Sequence, residues 1–87
     1  MEKWKIVITK SGEKDLKTLD QSIQKRIIQK INWLLENFQK INQERLSEKW
    51  EEAYKLRVGS WRVIYKIEYA KREILILKVW PRDRVYK

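Results

Sequence analysis

The chain contains no cysteine and no histidine, one proline, two glycines and one methionine. Without cysteine there is no disulfide and no thiol nucleophile. Without either residue there is no Cys/His zinc site and no imidazole to act as acid or base. Long apolar runs are missing too. The longest, such as residues 74–77, fall far below the roughly 18 residues that argue for a membrane span, and Met1-Glu2-Lys3-Trp4 does not begin a signal peptide. These absences point to a cytoplasmic protein with no membrane partner. Its acidic residues Asp15, Asp20 and Asp83 have no spacing that suggests a metal cluster, so the reading includes no metal and no small-molecule cofactor.

What is present is a core and a charge. Of 87 residues, 43% are hydrophobic, five of them tryptophan, which suits one small domain over residues 1–87 and leaves little room for a deep pocket. The formal charge is +9 and unevenly spread: residues 1–54 carry +2, residues 55–87 carry +7. A field of that sign attracts phosphate backbones, anionic lipid or acidic proteins.

Residues 4–9 read as an opening strand rich in β-branched side chains, closed by Lys10-Ser11-Gly12. A short helix follows, with Ser11 able to cap it, Glu13 and Asp15 in its first turn, and Leu16 and Leu19 three residues apart. The next helix is clearer. Asp20 or Ser22 can cap it, and Ile23, Ile27, Ile31, Leu34 and Phe38 recur on one face, leaving Lys25, Arg26, Gln29 and Lys30 largely in water. The two form an αα-hairpin too short to be stable alone, so its apolar stripe predicts a sheet beneath it. Residues 39–52 read as a polar loop with a helical turn, anchored by Ile41, Leu46 and Trp50.

Strands are predicted over residues 54–58, 61–68 and 73–80. Gly59-Ser60 suits a type II′ turn, Ala70-Lys71-Arg72 a looser one, and Pro81 ends the last strand because it lacks an N–H. The fold class is therefore α+β: an N-terminal strand, a two-helix hairpin and an antiparallel three-stranded β-meander, with the helices on one face of the sheet.

The turn sets the register of the first hairpin. Arg57 falls opposite Arg62 and Lys55 opposite Ile64, on one face, while Leu56, Val58, Trp61, Val63, Tyr65 and Ile67 take the other as core. Like charges opposed across strands are unfavourable, so the Arg57–Arg62 pair calls for a polyanion. The bland alternative is that both arginines reach outward to Glu48, Glu51 or Glu52 of the connector. The ending, Arg82-Asp83-Arg84-Val85-Tyr86-Lys87, is a basic tail placed to rim that face; Tyr86 fits a proton acceptor, a base-stacking ring or a plain aromatic anchor.

The string from Tyr54 to Tyr65, Tyr-Lys-Leu-Arg-Val-Gly-Ser-Trp-Arg-Val-Ile-Tyr, together with the ending from Pro81 to Lys87, resembles the RelE/ParE superfamily of toxin–antitoxin toxins, and most closely its archaeal RelE type. The resemblance spans nearly the whole chain. It implies a ribosome-dependent endoribonuclease that cuts mRNA in the A site and inhibits translation, without metal, by attack of the ribose 2′-hydroxyl on the adjacent phosphate. It assigns catalytic roles to Lys55, Arg57, Arg62, Arg82 and Tyr86, and RNA binding to Lys66, Arg84 and Lys87. Arg62 and Arg82 would stabilise charge on the phosphoryl oxygens, Tyr86 would take the 2′ proton or stack on a base, and Lys55 and Arg57 would grip the backbone and assist proton transfer. Many relatives carry glycine followed by histidine or lysine before the first tail arginine; this chain has Trp80-Pro81, which leaves the acid for the 5′ oxygen open among Arg84, Lys55 and a ribosomal group. The implied partners are the ribosome with its mRNA and an acidic, RelB-like antitoxin. Two other readings are a ParE-like inhibitor of DNA gyrase and a non-catalytic basic module that docks on nucleic acid.

Overall fold

The computed structural model describes residues 3–47 and 50–85. Strand β1 (Lys5–Ile8) leads into helices α1 (Lys10–Lys17) and α2 (Gln21–Asn37), followed by β2 (Glu44–Ser47), β3 (Trp50–Val58), β4 (Trp61–Glu68), β5 (Glu73–Pro81) and a terminal turn of helix, α3 (Arg82–Val85). The five strands form one sheet in the order β1-β5-β4-β3-β2. The meander is antiparallel, and β1 lies parallel to β5 with Ile6 opposite Ile74. No helix of the described residues is long and apolar enough to cross a membrane.

Both helix starts follow from short polar side chains. Asp20 caps α2, its carboxylate accepting from the Ile23 N–H at 3.1 Å and from the Ser22 hydroxyl at 2.8 Å, contacts that hold its carboxyl below the usual range. The cap of α1 is Thr9 rather than Ser11: its hydroxyl accepts from the Gly12 N–H at 3.1 Å and donates to the Ile76 carbonyl at 2.8 Å. Lys10-Ser11-Gly12 is thus the first turn of α1 rather than a closing loop. The reason is contact with β5, since a Cβ on Gly12 would stand 2.6 Å from the Ile76 oxygen. Only glycine lets the helix lie that close.

The predicted stripe is the core. Leu16, Ile27, Ile31, Leu34 and Phe38 pack on Leu56, Val58, Val63, Tyr65, Ile74, Ile76 and Val79, with Trp61 and Ile67 alongside. The strand pairing of Arg57 with Arg62, and of Lys55 with Ile64, is the one the two-residue turn predicts. Gly59 has φ +59°, while Arg72 is the one non-glycine residue with positive φ among those described. Ser60 therefore has negative φ, as a type II′ turn requires.

Two further features depart from the sequence reading. The connector forms β2 and the first half of β3, where a loop is predicted; Glu and Lys disfavour strands, and a bulge between Arg45 and Ser47 breaks the alternation that would reveal one. The face away from the helices is also not purely cationic. Leu46, Ala53 and Ile64 are buried there, with Leu77 and Trp80 packed against them, so the positive side chains stand around a second small apolar cluster.

Candidate nucleic-acid interface

The second face collects cations from two distant segments. Across three strands Arg57 pairs with Arg62 and Arg62 with Trp80, so these side chains form one row on one face. Arg84 extends the row: its guanidinium carbon lies 5.1 Å from the centre of the Trp80 ring, a cation–π contact. Arg82 joins from the end, because its N–H donates to the Ser60 carbonyl at 2.8 Å and its side chain is exposed. Residues more than twenty apart in sequence thereby meet at one turn.

The individual side chains differ in availability. Arg57 is exposed, whereas Arg62 is 6% exposed and folded over the turn, with Nη1 donating to the carbonyls of Gly59 at 3.0 Å and Trp61 at 2.8 Å. This corrects the expectation of two outward-facing arginines. Arg62 is tolerated beside Arg57 because its charge is spread over main-chain dipoles, and its Nε is a buried donor without a partner. Lys55 is nearly enclosed, with 9% of its side chain exposed.

Glu44 on β2 answers both remaining charges. One of its oxygens, Oε2, lies 3.2 Å from Lys55 Nζ and 3.0 Å from Arg57 Nη2. Burial pushes its carboxyl up, but hydrogen bonds and charge from Arg57 and Lys55 outweigh that and leave it below its ordinary value. Of the acids suggested for this role, Glu48 and the Glu51 side chain lie outside the described residues, and Glu52 instead faces Lys66 at 3.4 Å. Glu44 could have been found only from the register of β2, which places it directly opposite Lys55. Trp80 was likewise hidden as a member of the row, because a bulge between Ile64 and Tyr65 sets its pairing.

Lys66 is not part of the cluster. It shares the face of Arg62 but sits four residues along β4, about 13 Å away. Tyr86 and Lys87 lie outside the described residues. Around the edge of the sheet Arg57 also borders an open groove lined by Arg26, Lys30 and Trp33, where Lys30 Nζ stands 3.7 Å above the Trp33 ring. Positive surface therefore continues from the sheet onto α2.

A family model described as the ParE toxin of type II toxin–antitoxin systems matches residues 6–86. The chain belongs to this toxin family of the RelE/ParE superfamily. It is thus a toxin of a toxin–antitoxin system of the RelE/ParE type. None of the curated proteins matches it. Among solved structures, the fold of this ParE-family chain resembles the RelBE toxin–antitoxin complex from Mycobacterium tuberculosis, at 20% identity and a TM-score of 0.79, over 91% of this chain and 98% of the other. It also resembles the archaeal RelE–RelB complex from Pyrococcus horikoshii, at 24% identity and 0.68, over 93% and 97%. A mutant of E. coli toxin RelE in the free state matches at 16% identity and 0.77, over 95% and 90%.

Proposed function

We propose that this toxin is a ribosome-dependent, metal-independent endoribonuclease that cleaves mRNA in the A site. The observation that carries the reading is the row Arg57, Arg62, Trp80 and Arg84 with Arg82 held at its end: cations and an aromatic face suited to a phosphate and the base beside it. In the reaction the ribose 2′ oxygen bonds to the adjacent phosphorus, the bond from phosphorus to the 5′ oxygen breaks, and the 5′ oxygen takes a proton from Arg84, Lys55 or a ribosomal group, leaving a 2′,3′-cyclic phosphate and a free 5′-hydroxyl. Negative charge grows on the non-bridging oxygens, which Arg82 would stabilise; Arg62 would join it only by swinging out from the Gly59 and Trp61 carbonyls that now hold it. Tyr86 would accept the 2′ proton or stack on a base, while Lys55 and Arg57 grip the backbone. Arg84 and Lys87 would contact RNA nearby and Lys66 further along the strand. A RelB-like acidic antitoxin is the partner this reading implies, as the neighbouring RelB–RelE complexes suggest.

The test is cleavage of mRNA on programmed ribosomes. Arg82→Ala should lose on the order of 10²–10³ in rate, the usual cost of removing one donor that stabilises a developing oxyanion. Cutting as fast as the unsubstituted chain would remove the assignment. Because the matching family model is described as a ParE toxin, a second reading is the gyrase inhibition that a ParE-like resemblance implies. Loss of supercoiling activity without any RNA product would select it.

A further inference from the structure

Resting on the reading that this face grips RNA, we propose that Glu44 is an internal stand-in for a substrate phosphate. In the free toxin its carboxylate fills the anion position between Lys55 and Arg57, and RNA binding exchanges it for a phosphoryl oxygen. Glu44 is a positioning residue in this scheme, because it holds the two cations and touches no reacting atom.

The geometry is that of a bridging anion. A single oxygen, Oε2, serves both Lys55 Nζ and Arg57 Nη2, at 3.2 and 3.0 Å, as one phosphoryl oxygen would. Lys55 is too enclosed to be left without a counter-charge, so some anion must accompany it in every state. The three partners differ in freedom. Glu44 stands on the outermost strand of the sheet with 43% of its side chain exposed, and Arg57 is 61% exposed. The carboxylate can therefore swing into water while Arg57 turns to the incoming ligand. Two anions cannot share the position, since they would repel at contact distance. Lys30 from α2 and Tyr65 from β4 line the same groove, in which Glu44 is the acid among the described lining residues.

The experiment measures binding of a 2′-O-methylated single-stranded RNA, which cannot be cut, by fluorescence anisotropy at low salt. Glu44→Gln should bind about three- to tenfold tighter, the scale of the exposed ion pairs that no longer compete. Glu13→Gln, which breaks the Lys17–Glu13 pair on α1 and raises the net charge equally, should change binding less than about twofold. Equal effects of the two substitutions would overturn the proposal. Because Glu44→Gln leaves Lys55 without this acid and can disturb folding, the unsubstituted toxin supplies a second measurement. On titration with the same RNA, the Glu44 carboxyl carbon resonance should move in step with the Arg57 guanidinium signals; movement of Arg57 with Glu44 unchanged would overturn the exchange. Cleavage on ribosomes with no Glu44 effect removes this proposal alone. Tighter binding by Glu44→Gln without any cleavage supports it and removes the nuclease reading. Failure of the toxin to bind RNA at all overturns this proposal, while the nuclease reading stands or falls on the ribosome assay.

Discussion

The main-chain N–H of Arg82 donates to the carbonyl oxygen of Ser60 at 2.8 Å, tying the start of the tail to the turn that Arg57 and Arg62 flank. The cluster depends on this tie, because α3 is a single turn whose described side chains are exposed and add little to the core.

Truncation after Pro81 should therefore separate folding from activity. The shortened chain should unfold within a few degrees of the full one, losing about 1 kcal/mol for one hydrogen bond. Its mRNA cleavage should vanish. Calorimetry and the ribosome assay check the two halves, and retained cleavage would show that the tail is dispensable.

Gly12→Ala should be disproportionately harmful for a surface helix. The new methyl would meet the Ile76 oxygen at 2.6 Å, so α1 must lift from β5 and strain the Thr9 cap. A loss of about 1–3 kcal/mol is expected, as for overpacking elsewhere. Urea unfolding measures it; a neutral or stabilising effect, as alanine usually has in a helix, would refute the close packing.

Tyr65→Phe should loosen the connector. The phenol, which burial keeps protonated well above its ordinary range, donates to the Gln43 side-chain oxygen, and the Gln43 amide in turn donates to the Phe38 carbonyl. Removing the hydroxyl strands a part-buried acceptor and should cost about 1–2 kcal/mol. Hydrogen exchange should rise first over β2. Uniform change across the sheet would contradict a local tie.

Acid should weaken the Glu44 cluster. Its carboxyl lies lower in the folded chain than in the unfolded one, so it stabilises the fold above the unfolded carboxylate value of about 4.3 and loses that contribution as pH falls through the lower, folded value. With Glu44 43% exposed, the effect is limited to about 1 kcal/mol. Urea midpoints of the unsubstituted chain and Glu44→Gln should differ at pH 7 and converge as pH falls below the lowered, folded value. Asp20, also lowered, titrates in both proteins and cancels. A difference that persists in acid would exclude the ion pairs as its source.

Helix α2 and the first hairpin were legible because their patterns are local. An isoleucine every three or four residues makes a buried face wherever the helix docks, and a two-residue turn leaves one register for Arg57 against Arg62. Strand β2 was not legible. Glu44-Arg45-Leu46-Ser47 has no strand preference of its own and is ordered by pairing with β3. The inward turn of Arg62 was equally hidden, since it follows from carbonyls that the turn happens to aim at it.

The residues in order were enough to determine the chain's faces: an apolar stripe on α2, an alternating hairpin, and a basic surplus in the last third. Tertiary structure alone decided which cations meet and what neutralises them. Bulged strands and a hydrogen bond from Arg82 to Ser60 set those distances, and no local periodicity records a register shifted by one inserted residue.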